Sequence, residues 1–165
     1  MIKFKKMSII LLTVLILALP LSASKSQSPP SKTKATVTVT PAKVELAFPA
    51  ILKVPIEFSG SGWEAKEMIV IEMVLPPDVK IPGIEPGEDA AIAHAYADDA
   101  GDFKTSMATM AKIITIYRGT IAQTLALDPK SLNPIPPGVY TIKASGAESE
   151  QVSTTTIEFL KPAPK

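Results

Sequence analysis

Between Ala35 and Leu160 the chain is a succession of short apolar runs, each soon stopped by proline or glycine. Ala35-Thr36-Val37-Thr38-Val39-Thr40 alternates apolar and polar residues, the period of a strand with one buried face. Pro41 ends it, and Val44, Leu46 and Phe48 resume the alternation. Ile51 to Phe58 reads as a further strand; Pro55 within it predicts an edge or a bulge, because proline cannot donate to a ladder. Ser59-Gly60-Ser61-Gly62 predicts a turn, with Trp63 as an anchor directly after it. Met68 to Leu75 reads as the most convincing buried strand, and Pro76-Pro77-Asp78 stops it. Val79 to Asp89 is a Pro/Gly-rich loop carrying Glu85, Glu88 and Asp89. A short strand around Tyr96, an Asp98–Asp102 turn and a strand opening at Phe103 follow. Val139 to Ala144 and Val152 to Leu160 read as the last two strands.

One segment reads both ways. Met107, Met110, Ile113, Ile114, Tyr117, Ile121 and Leu125 recur at helical spacing. Ile113 to Tyr117 is equally a good strand by propensity. A strand with a loop and a short helical insertion around 107–127 both stay open. Its apolar residues must either pack on a sheet or cover a partner.

The first residues have a different grammar. Lys3, Lys5 and Lys6 precede an apolar run from Met7 to Leu19; Pro20 breaks it, and Ser22, Ala23 and Ser24 are small. Charge, apolar core and small residues predict a signal peptide over 1–24. The run is shorter than the roughly 20 residues of a membrane-spanning helix, so no span is expected in the mature protein. The other reading is an uncleaved anchor, which leaves the same domain outside the membrane. Residues 25–34, rich in Ser, Lys, Gln and Pro, predict a flexible linker. The folded domain is expected over 35–161, with 162–165 as a tail. The expected location is exported: extracellular, periplasmic or at the cell surface.

Composition removes whole classes. There is no cysteine, hence no disulfide framework, thiolate metal site or cysteine nucleophile. Removing Lys3, Lys5 and Lys6 from the 17 basic residues leaves 14 against 16 acidic ones. With Arg118 the only arginine, a mildly acidic domain has no electrostatic case for nucleic acid.

Three stretches together carry a resemblance. Phe58-Ser59-Gly60-Ser61-Gly62-Trp63 leads through Glu67 into the Met68–Met73 run; Ala97 to Phe103 is an acidic Gly turn closed by an aromatic; Pro136 to Ala144 is a rigid turn feeding a strand. Together they resemble a bacterial or archaeal immunoglobulin-like extracellular domain. The last two also occur in carboxypeptidase-regulatory-like sandwiches. The resemblance implies an all-β fold, a single antiparallel immunoglobulin-like β-sandwich, and a non-enzymatic interaction or structural module of the cell envelope. The acidic Pro/Gly loop near Glu85 and the Met107–Pro134 stretch depart from the pattern, and individual function is expected there.

The candidate site residues are few. Asp98, Asp99 and Asp102 cluster around a Gly turn and could supply hard oxygen ligands to calcium, although such residues are also the ordinary ones of a tight turn. No other cofactor is expected. Trp63 and Tyr96 are candidate ligand-binding platforms for sugar rings, Trp63 being equally suited to the core. His94, the only histidine, is expected in phase with Ile92 and Tyr96, packed beside or capping that face. Glu45, Glu57, Glu64, Glu67 and Glu72 are expected on solvent faces. No nucleophile or acid–base pair stands out, so no catalytic residue is assigned. The expected partner is an envelope protein. The alternative is a ligand-binding accessory domain for a polysaccharide or calcium, acting through the acidic turn and the aromatics.

Overall fold

The computed structural model describes residues 34–85, 87–119 and 132–164. The expected signal peptide, residues 25–33 of the linker, and Ile121 and Leu125 of the ambiguous segment lie outside them. The described chain is mostly strand: β1 (Thr36–Thr40), β2 (Lys43–Glu45), β3 (Glu57–Ser61), β4 (Met68–Met73), β5 (Ala90–Tyr96), β6 (Phe103–Ser106), β7 (Gly138–Gly146) and β8 (Val152–Leu160). They form a three-stranded sheet in the order β1-β3-β6 and a five-stranded sheet in the order β2-β8-β7-β4-β5.

Alternation sets the inward faces. Val37 and Val39 of β1 are buried, while its threonines face out and bond across to β3, Thr36 to Ser61 at 3.0 Å and Thr38 to Ser59 at 2.9 Å. Both sheets feed one core, in which Phe58, Ile69, Ile71, Met73, Ile142 and Ile157 are at most 2% exposed. Burying each such side chain contributes about 1.5–3 kcal/mol.

Four local expectations are corrected. Pairing is antiparallel except that β2 runs parallel to β8. β2 follows β1 after a bend at Pro41 and Ala42 and lies in the other sheet. Ile51 to Phe58 is not one strand: Ala50–Lys53 forms a 3₁₀ turn between Pro49 and Pro55, and β3 begins at Glu57. Ser59 to Ser61 is strand, and the turn starts at Gly62. Gly60 sits where a Cβ would meet the Thr36 carbonyl oxygen at 2.2 Å and the Phe103 ring at 2.4 Å. In β5, Ile92 is an extra residue opposite the Ile71–Glu72 step of β4, a β-bulge. The bulge reverses the phase: Ala90 and Ile92 point inward, then Ala95 and Ala97 do, leaving His94 and Tyr96 exposed. His94 is therefore out of phase with Ile92.

The ambiguous segment is helical where it is described. α1 (Thr109–Ala111) widens into a π turn over Lys112–Ile116, closed by the Tyr117 N–H on the Lys112 carbonyl at 3.1 Å. Ile113, Ile116 and Tyr117 are buried, whereas Met110 is 50% exposed. Lys112 is 3% exposed, and its ammonium donates to the carbonyls of Ile51, Leu52 and Val54. That explains the 3₁₀ turn: its carbonyls converge on a buried cation.

Candidate functional site

The five candidate residues gather where β4 begins, and most are used by the fold. Trp63 is 5% exposed. Its indole N–H donates to the Thr36 carbonyl at 3.0 Å, and its ring meets Phe103 edge-on at 6.0 Å. Gly101, with φ of +82°, lies so close that a Cβ would stand 2.3 Å from the Trp63 carbonyl oxygen. In the acidic turn, one carboxylate oxygen of Asp98 accepts the N–H groups of Ala100 at 2.8 Å and Asp102 at 3.0 Å. The Asp102 and Ala100 amides hold its carboxyl below the ordinary value. Asp99 is paired with Lys66 at 3.1 Å. Among the described residues no three His, Cys, Asp or Glu side chains converge as a metal-binding group.

Glu67 corrects the solvent-face expectation, being 2% exposed. Its carboxylate accepts the N–H of Glu64 at 2.6 Å, the N–H of Ser149 at 3.1 Å and the Ser149 hydroxyl at 3.0 Å. It ties the turn before β4 to the β7–β8 hairpin. Burial pushes the carboxyl upward, but the hydrogen bonds from Glu64 and Ser149 outweigh it and leave the value lowered.

Tyr96 differs from the others in exposure: it is 66% exposed on the outer face of β5, opposite Met68 at the start of β4. Further along that face, Lys143 bridges Asp89 and Glu72, whose side chains are 21% and 25% exposed. Asp89 first, then Glu72, raise the lysine's pKa. The pair fastens the end of the Pro/Gly loop to the sheet.

That loop builds a cavity of about 620 Å³. Its lining is aliphatic: Leu75, Val79, Ile81 and Ile84, walled by Pro76, Pro77 and Pro82. Val79 and Ile81 are 6% and 3% exposed and root the loop in the core. Three successive turns give it shape: Val79 N–H to the Pro76 carbonyl at 2.9 Å, Ile84 to Ile81 at 3.2 Å and Glu88 to Glu85 at 3.1 Å. Lys80, Glu85 and Glu88 also line it. Sequence reasoning singled out the loop and its acids but not the aliphatic lining. The readable signal was three branched aliphatic residues, 79, 81 and 84, in a stretch otherwise made for turns.

No protein-family model matches the chain, and no curated protein matches it. Among solved structures, a β-glucosidase from Erythrobacter marinus is 12% identical with a TM-score of 0.42, over 76% of this chain and 15% of its own. Macromomycin is 15% identical at 0.42, over 76% of this chain and 99% of its own. BslA, a bacterial hydrophobin, is 16% identical at 0.35, over 79% and 95%. At these scores the likeness carries neither fold nor activity over to this chain.

Proposed function

We propose that the chain is an exported, non-enzymatic interaction module of the cell envelope or extracellular space, built on an immunoglobulin-like sandwich, and that the loop pocket after β4 is its contact surface. The strand order supports the immunoglobulin-like reading. Such sandwiches hold their first, second, fourth and fifth strands in one sheet and the third, sixth and seventh in the other; here β1, β3 and β6 match the first, second and fifth, β4, β7 and β8 match the third, sixth and seventh, and β5 pairs with β4 instead of joining the first sheet. The Tyr140 hydroxyl donates to the Pro136 carbonyl at 2.8 Å, four residues upstream, a strand-corner tyrosine of the kind those folds carry. The charged run at the N-terminus followed by an apolar stretch supports export.

The observation that carries the contact reading is the pocket itself: an aliphatic cavity with a few polar groups at its mouth, of ligand-site size, on a loop held by a rigid scaffold. Capture from an envelope extract of the source cells tests it. A partner held by the wild-type chain should be lost by Ile84→Asp and kept by Asp99→Asn and Tyr96→Ala. Retention by Ile84→Asp with loss in either of the others would contradict it. A second reading, a polysaccharide-binding accessory, has the exposed Tyr96 ring in its favour; it requires Tyr96→Ala to abolish glycan retention.

A further inference from the structure

We propose that the loop pocket receives an aliphatic side chain of a partner protein segment that carries a lysine or arginine beside it. This rests on the pocket being the contact surface and adds the chemistry of its occupant. The lining decides the first half. The partly buried Leu75 and Ile84 with Pro76, Pro77 and Pro82 offer contact area to alkyl groups over a floor of Val79 and Ile81. Among the described residues the lining contains no aromatic ring on which a sugar could stack.

The rim decides the second half. Asp78, Glu85 and Glu88 lie on this loop with Lys80. Asp89 is paired with Lys143, which also holds Glu72. None of the other four is in an ion pair with a described residue. Of these, Glu85, Glu88 and Lys80 line the slot, so two carboxylates face one ammonium around it. The Arg118 guanidinium donates to the carbonyls of Asn133 at 2.8 Å and Pro134 at 3.1 Å. A cation beside the inserted alkyl group is attracted, and an anion is repelled. Such rim interactions are modest and salt-dependent, but they choose between partners.

The loop's rigidity makes an exchange of this kind practicable. Its ends are fixed, at one side by Val79 and Ile81 in the core and at the other by the Lys143–Asp89 pair. Three prolines and three hydrogen-bonded turns pre-set its path. Little ordering entropy is then lost on binding.

Three capped hexapeptides test the proposal on the full chain at low salt: Gly-Lys-Leu-Val-Lys-Gly, the same with serine in place of lysine, and the same with glutamate. Methyl signals of Val79, Ile81 and Ile84 report occupancy. The basic peptide should give saturable shifts with an affinity about threefold above the serine peptide, and the glutamate peptide should bind weakest. The difference should vanish at high salt and in a Glu85→Gln/Glu88→Gln variant. Equal affinity for all three, or preference for the acidic one, would overturn the basic occupant and leave the pocket as a contact surface. No saturable shift with any of them would overturn both.

Discussion

β4 is finished differently at its two ends. At its start, Glu67 takes hydrogen bonds from Glu64 and Ser149, Trp63 is locked against Gly101 and bonded to Thr36, and Asp98 binds its own turn. Polar groups there are consumed by the fold. At its finish the chain leaves through prolines into a loop whose aliphatic residues enclose a cavity and whose Glu85 and Glu88 sit at its mouth. The residues that look most like a site in the sequence stand at the first end. The geometry that can accommodate another molecule stands at the second.

Substitutions can break this contrast. The largest effect is expected from Glu67→Ala, which removes the buried acceptor of the half-buried Glu64 and Ser149 amides: a loss of about 2–3 kcal/mol in chemical denaturation. Its pH dependence follows from a depressed carboxyl. Glu67 stabilises the fold fully above the ordinary value of 4.5, and that contribution fades as the pH falls through the lowered folded value. The stability gap between wild type and Glu67→Gln should therefore close in acid.

The glycines give a matched pair. Gly101 and Gly83 have φ of +82° and +84°, but a Cβ at Gly101 collides with the Trp63 backbone whereas at Gly83 it meets nothing within 4 Å. Gly101→Ala should cost about 2–3 kcal/mol and Gly83→Ala about 1 kcal/mol, the backbone strain alone. Equal costs would mean that the first end is not closed as described.

Lys112 sharpens the account from inside. Burial lowers its pKa below 10.5. Stability should rise with pH between the lowered folded value and 10.5, because the unfolded chain there binds the proton that the folded chain has released. Lys112→Met should abolish that alkaline rise in a denaturation series. The smallest change is expected at the pocket: Glu88→Gln should shift stability by less than about 0.5 kcal/mol, as an exposed loop charge does.

Much of the fold was legible because period-two alternation and Pro/Gly punctuation are local signals. β1, β4, β5, β7 and β8 follow directly from them. What was not legible depends on distant partners. Ala50–Lys53 has a strand-like sequence, yet its carbonyls turn toward an ammonium about sixty residues away in sequence. Glu67 reads as a surface acid until the 147–150 turn closes over it. The Ile92 bulge, which turns His94 outward, is a property of pairing with β4 and leaves no mark in β5 alone. At the site, the acids of the loop were visible as a cluster, whereas the cavity needed Val79 and Ile81 to be placed in the core.

The contrast between the two ends is tested most directly by titrating the full chain with a small neutral probe, cyclohexanol, while following the methyls of Val79, Ile81 and Ile84 and the indole N–H of Trp63. The account predicts saturable shifts at the three loop residues and a stationary Trp63. Saturable shifts at Trp63 and Phe103 with an unchanged loop would contradict it.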